Sequence, residues 1–190
     1  AAKYKVQLID LKRDRTVTKR VGTFALEVCA SPLEVDYLIN LPVLKAHCQT
    51  ELTCALKNLK GCIPDAEKRR YHRLGLHQPI AHLAAVLPTH LTIVDGICGD
   101  LTFEEGGNPV TMGRVIAGND AVLIDAYAAA LLGLAAEEVP YIGIAAGLGV
   151  GADDLAKAEI IEFNPEAKPA QPFRWSRRVQ SLARYVDERE

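Results

Sequence analysis

Side chains that can hold anions or transfer protons are concentrated in one short segment of the chain. Lys45, His47 and Lys57 can anchor negative charge or act as acid, base or nucleophile, and we predict catalytic roles for them. Asn58 and Lys60 follow in the same segment and are predicted to bind the ligand. A small anion, or an anion bound to a metal, is the ligand that this chemistry favours. Solvated surface lysines are the alternative interpretation.

The same segment carries candidate metal ligands, because thiolate and imidazole groups suit zinc, iron or nickel. The candidates are His47, Cys48, Cys62 and His72. Their spacing matches neither the C-x-x-C pairs of a zinc ribbon nor the C-x-x-C-x-x-C run of a four-iron cluster. A divalent metal therefore stays open as a cofactor, whereas no iron–sulfur cluster and no disulfide are expected on this chain alone.

Two carboxylates from a distant part of the chain could complete the site. Residues 45–73 contain seven Lys or Arg against three acidic residues, whereas residues 95–125 contain six acidic residues against one Arg. We predict that Asp95 and Asp125 bind the ligand or its metal. Asp125 lies in an apolar helical stretch, where a buried carboxylate must be paired or hydrogen-bonded, so a structural role is the alternative.

Strands that alternate with helices predict an α/β fold with a mainly parallel or mixed sheet and helices on its faces. The pattern places strands at 4–10, 21–29, 36–41, 90–95, 110–117 and 160–163, helices at 52–60, 78–87, 119–132 and 137–146, a loop at 42–49 and an irregular segment at 62–77. In such sheets ligands bind beyond the carboxyl ends of the strands. One strand leads to Lys45 and His47 and another ends on Asp95, so we expect these residues to share a cleft with Lys57 and Asn58.

Length and composition indicate one ordinary domain with a tail. Residues 1–163 of the 190 are predicted to form a single α/β domain of a longer protein. Residues 164–190 are predicted to form a linker and an amphipathic helix whose apolar stripe contains Trp175, Val179, Leu182 and Val186. The net charge of −2 argues against nucleic acid, and no apolar run reaches the roughly 18 residues of a membrane span. Five cysteines without the spacing of a disulfide framework predict a cytoplasmic location.

Several motifs together give the chain a family resemblance. They are residues 36–47 (DYLINLPVLKAH), 55–64 (ALKNLKGCIP), 93–96 (IVDG), 113–126 (GRVIAGNDAVLIDA) and 147–149 (GLG). Over roughly residues 25–155 the chain resembles the domain of unknown function 362 family. The resemblance implies a fold and a site more than a reaction, since the family has no established activity. Many members carry an attached ferredoxin-like segment that binds an iron–sulfur cluster, whereas this chain has no cluster motif.

Three functional hypotheses follow, and whether the chain is an enzyme stays open among them. The first is an enzyme domain that binds a small anionic or metal-bound ligand through a Lys/His/Asp cleft. The second is a non-catalytic module of an iron–sulfur or redox protein, with its cluster outside this chain and a redox partner or ferredoxin-like segment as its neighbour. The third is a scaffold whose main role is to form a homo-oligomer.

Overall fold

The chain forms an antiparallel hairpin and a mixed five-stranded sheet in the computed structural model, which describes residues 2–100 and 109–163. The hairpin consists of β1 (Thr16–Val21) and β2 (Phe24–Cys29). The sheet contains β3 (Ile39–Asn40), β4 (Val43–His47), β5 (Glu51–Thr53), β6 (Leu91–Asp100) and β7 (Pro109–Gly118). The helices are α1 (Ala55–Asn58), α2 (Asp65–Leu74), α3 (His77–Val86), α4 (Ala121–Leu131) and α5 (Pro140–Gly147).

Strand β6 is the centre of the sheet. On one side it pairs in parallel first with β3 and then with β4, and on the other it pairs antiparallel with β7. Strand β5 is antiparallel to β4 and forms the opposite edge. Pro42 separates β3 from β4 because it has no N–H group to donate to the ladder. The parallel and antiparallel pairs together confirm the predicted α/β fold with a mixed sheet.

One face of the sheet packs against the helices and forms the core. Leu44 of β4 and Val94 of β6 are fully buried there, in one cluster with apolar residues of α1, α3, α4 and α5. Helix α4 begins as predicted at Asp120, whose Oδ1 accepts the N–H groups of Val122 and Leu123, both at 2.9 Å. We call this the inner face, and the opposite face the outer face. No helix among the described residues has the length and apolar character needed to cross a membrane.

Several element predictions are wrong, and each error has a local cause. Residues 4–10 alternate in polarity but form no strand, and residues 160–163 are irregular as well. The predicted loop at 42–49 contains β4, and the predicted helix at 52–60 divides into β5, the single turn α1 and a 3-10 turn at Leu59–Cys62. The segment 62–77 contains α2, whose polar surface hid its helical character. The predictions for α3, α4 and β7 are confirmed.

The predicted tail and the tip of the β6–β7 connection, residues 164–190 and 101–108, lie outside the described residues. The division at residue 163 therefore stays a prediction.

Candidate functional site

Strands β4 and β5 bring several of the predicted residues to the outer face. Lys45 and His47 alternate along β4 with Leu44 and Ala46, which face the core. Lys45 lies directly opposite Thr53 of β5, and His47 lies opposite Glu51. Side chains opposite one another in an antiparallel pair have Cβ atoms roughly 5 Å apart. On its other side Lys45 is the register partner of Asp100 in β6.

Lys57 reaches the same place from α1. Its Nζ donates a hydrogen bond of 3.0 Å to Oγ1 of Thr53, and the side chain is only 4% exposed. Thr53 therefore lies opposite Lys45 in the ladder and accepts a hydrogen bond from Lys57 of the helix that follows. A buried ammonium group is costly to desolvate unless it is paired or hydrogen-bonded, and Thr53 supplies one such partner.

The imidazole of His47 is fixed by the turn after β4. Its Nδ1 accepts the backbone N–H groups of Gln49, at 3.1 Å, and Thr50, at 3.2 Å. A ring nitrogen that accepts two hydrogen bonds carries no hydrogen, so the tautomer here has its hydrogen on Nε2. Protonation at Nδ1 would break both backbone contacts. His77 lies nearby, and its pKa is lowered by burial and by the charge that His47 would carry.

A pair of asparagines holds α1 in place. Nδ2 of Asn40 in β3 donates to the carbonyl oxygen of Ala55 at 2.8 Å, and Nδ2 of Asn58 donates to Oδ1 of Asn40 at 2.7 Å. Asn58 therefore stands beside Lys57 and braces the helix that carries it. In this structure its amide serves the protein, with Asn40 as its partner.

Asp125 binds the first N–H groups of α1 from the inner side of the sheet. Its carboxylate accepts the N–H groups of Ala55 at 2.6 Å and Leu56 at 3.0 Å. Burial raises its pKa to about 7, against the lowering effect of these two bonds and of hydrogen bonds from Cys54 and Tyr141. The structure thus places Asp125 in the core with backbone partners, apart from the outer face where Lys45 and Asp95 lie.

The remaining predicted residues occupy different positions around this centre. Asp95 is exposed on the outer face, as the register partner of Val43, and its Oδ1 accepts the N–H of Ile97 at 3.0 Å. It lies within β6 rather than beyond the end of the strand, because β6 continues past Gly96 to residue 100. Lys60 lies after α1, with its Nζ 3.3 Å from Nε2 of His72 on α2.

The candidate metal ligands are not assembled into one centre by the described part of the chain. Within residues 2–100 and 109–163, no group of three or more His, Cys, Asp or Glu side chains is arranged to hold a metal ion. Burial, with a smaller contribution from the neighbouring Cys29, raises the pKa of Cys62 to about 11. Burial also raises the pKa of Cys54 well above its ordinary value, so neither of these thiols is an activated nucleophile.

Two residues of the site were missed by the sequence analysis. Thr53 was assigned to a helix because Leu52, Ala55 and Leu56 match helical spacing. Threonine is β-branched and therefore favours a strand, and this is the signal that the sequence offered. Asn40 was treated as part of an apolar strand, although a buried amide inside such a strand indicates a structural hydrogen bond or a site.

The fold and site define an α/β domain in which Lys45 and Lys57 flank Thr53 of a mixed sheet. The chain belongs to the family described as Domain of unknown function (DUF362), whose model matches residues 1–130. It is also similar to the thylakoid-associated protein sll1697 of Synechocystis sp., with 27% identity over 158 residues. That alignment covers 76% of this chain and 47% of the relative, so the chain spans about half the relative's length. No solved structure matches the chain.

Proposed function

We propose that the outer face around Thr53 binds a small anionic ligand between Lys45 and Lys57, as the site of an enzyme domain. The observation that carries the proposal is the hydrogen bond from the buried Lys57 to Thr53, with Lys45 directly opposite Thr53 in the neighbouring strand. A lysine on a flexible stem supplies a point charge and three donors, which suits phosphate or carboxylate oxygens. Thr53 adds a hydroxyl that can donate to the same ligand.

The neighbouring polar groups limit which ligands fit. Glu51 and Asp100 are the register partners of His47 and Lys45, and Asp95 lies further along β6 on the same face. These carboxylates partly balance the two lysines. A compact anion of one or two charges, free or bound to a divalent cation, therefore suits the site better than a polyanion such as nucleic acid.

In this proposal each residue has a stated role. Lys45 and Lys57 anchor the negative charge, and Asn58 positions Lys57 by bracing α1. His47 would donate from Nε2, because Nδ1 is occupied by the backbone. A redox module without catalysis is the competing function, and it predicts no specific binding of small anions at Thr53.

The test is isothermal calorimetry on the full chain with inorganic phosphate, acetate, malonate and citrate, each with and without magnesium. We expect at least one of these anions to bind to the parent protein. Lys57→Met should weaken that anion's binding by about tenfold or more, the equivalent of about 1.4 kcal/mol, since a charge-assisted hydrogen bond is lost. Lys12→Met, at an exposed lysine far from the sheet, is the matched control and should bind normally.

The same variants separate function from folding. Methionine has nearly the length of lysine and fills the same space, so Lys57→Met should keep the circular dichroism spectrum of the parent and a cooperative melting transition. Binding that persists in both Lys45→Met and Lys57→Met, or no binding of any anion to the parent, would contradict the proposal.

A further inference from the structure

The outer face of the sheet carries an apolar patch beyond the lysine site. Side chains on this face come from three strands in register, since Val43 pairs with Asp95 and Asp95 pairs with Val115. Val43 is 45% exposed and Val115 is 63% exposed, and Leu41 between β3 and β4 is 66% exposed. We call these three side chains with Ile39 and Ala117 the open patch. Single exposed apolar side chains are ordinary, but a contiguous set on one sheet face indicates a contact surface.

The described helices pack on the opposite face of the sheet and leave the open patch uncovered. The inner residues of the same strands, Leu44, Val94 and Ile116, pack with the helices in the core. The exposures of the open patch show that none of the described helices covers it. A sheet face of this composition is normally covered by another layer.

The chain leaves the described structure at the β7 edge of the sheet, on the side where α4 packs. Oε1 of Glu162 accepts a hydrogen bond of 3.2 Å from the hydroxyl of Tyr127 and lies 3.6 Å from the guanidinium of Arg114, which belongs to β7. Strand β7 is an edge of the sheet. Ile161 and Phe163 are 67% and 90% exposed at this point, so the apolar character continues into the exit of the chain. Residue 163 therefore lies near the β7 edge, and the chain that follows reaches the open patch by passing around this edge.

We propose that the C-terminal segment, residues 164–190, packs as an amphipathic helix on the open patch of the same molecule. Its apolar stripe of Trp175, Val179, Leu182 and Val186 recurs at helical spacing. The twelve residues of this stripe form a helix about 18 Å long, at 1.5 Å per residue. Strands lie about 4.8 Å apart, so such a helix spans the strands of the patch.

Reach and charge agree with this arrangement. The eleven residues between Phe163 and Trp175 can extend over roughly 36 Å, which exceeds the width of the sheet. Asp95 is exposed within the patch. Arg178 lies three residues after Trp175 and four before Leu182, so it shares their side of the helix and can meet that carboxylate.

The chain contains a built-in reporter for the test, since Trp175 is its single tryptophan. Fluorescence of the full chain should show blue-shifted emission and several-fold protection from acrylamide compared with the unfolded chain in urea. Val115→Lys places a charge in the patch, and we expect it to shift the emission to the red and remove the protection. Leu74→Lys, at an apolar residue of α2 that is 52% exposed, is the matched control and should leave both unchanged.

Both substitutions are at exposed positions, so circular dichroism and thermal melting should show the parent fold in each. An exposed Trp175 in the parent protein would overturn the proposal, as would a protected Trp175 that Val115→Lys does not affect. Protection that disappears on dilution would show that a second copy occupies the patch, and this outcome too would overturn it. The measurement is independent of anion binding at Thr53.

Discussion

Replacing Asp125 by asparagine tests whether a buried carboxylate holds the helix that carries Lys57. In the folded protein both oxygens accept N–H groups at the start of α1, at 2.6 and 3.0 Å. At pH 5 Asp125 is protonated, but its hydroxyl oxygen still has lone pairs that can accept the second N–H group. Asparagine has one acceptor oxygen, and its amide nitrogen, which accepts no hydrogen bond, would face that N–H group. One buried donor left unsatisfied costs about 2 kcal/mol, and we expect Asp125→Asn to lose about that much stability at pH 5.

The loss should depend on pH in a defined direction. Burial raises the pKa of Asp125 from 3.8 to about 7, so between these values the folded state binds a proton that the unfolded state has released. Stability contributed by the protonated form is then fully present below pH 3.8 and lost as the pH rises through 7. Between pH 5 and 8 this loss is on the order of 3 kcal/mol in the parent and absent in the asparagine variant. The penalty of Asp125→Asn should therefore disappear by pH 8.

Urea denaturation at pH 5 and pH 8 measures the difference in unfolding free energy between the parent and the variant. The titration of all other groups is the same in both proteins and cancels in this difference. Burial raises the pKa values of the adjacent Cys54 and Tyr141 above their ordinary range, so neither group titrates in this window. The control is Asp10→Asn, at an exposed N-cap whose Oδ1 accepts the N–H of Lys12, because asparagine is an equivalent cap there and the loss should stay below about 1 kcal/mol. A penalty for Asp125→Asn that is constant or grows with pH would refute the reasoning.

Two further substitutions test contacts elsewhere in the fold by denaturation. A Cβ atom at Gly151 would lie 2.1 Å from Oδ1 of Asp120, so Gly151→Ala should disturb the cap of α4 and cost about 1–2 kcal/mol of stability. As its control, Gly143→Ala in α5 adds a Cβ atom that meets nothing within 4 Å and should stabilise the protein by about 0.5–1 kcal/mol. Asn40→Ala leaves the carbonyl of Ala55 without its buried donor and should cost about 1–3 kcal/mol, and equal stability of this variant and the parent would argue against the bracing of α1.

The sequence predicts those elements in which the apolar pattern, the capping residues and the turn residues all indicate the same structure. Helix α4 combines a continuous apolar run with the cap Asp120 and the stop Gly133, and strand β7 has the alternation of a half-covered sheet. Strand β4 was missed because Pro42 precedes it and because its outer residues are the polar Lys45 and His47. Helix α2 was missed because charged residues dominate it and little of it is buried.

The candidate site was predicted by residue type but not by geometry. Lys45, His47, Lys57 and Asn58 were singled out, and in the structure Lys45 and Lys57 flank Thr53, whereas a cleft shared by all four residues stays a prediction. The contacts that position them join residues far apart in sequence, such as Asp125 with Ala55 and Asn40 with Asn58. Nothing in local spacing indicates such pairs. Asp125 was assigned to the ligand with a structural role as the alternative, and the structure shows the structural contacts, since its carboxylate accepts N–H groups from the backbone of α1.

The shortness of α1 explains why this part of the fold needs so many polar partners. A single helical turn is unstable alone, because its hydrogen bonds do not repay the ordering of its backbone. Here the first N–H groups are bound by Asp125 and the carbonyl of Ala55 is bound by Asn40, so both come from outside the turn. Just after these two anchors the turn places Lys57 Nζ within hydrogen-bond distance of Thr53. A longer helix would depend less on such anchors. Here Asp125 of α4 and Asn40 of β3 fix the turn, and they thereby fix the position of Lys57 relative to these two elements. That arrangement is expected of a residue whose charge must be held in one place.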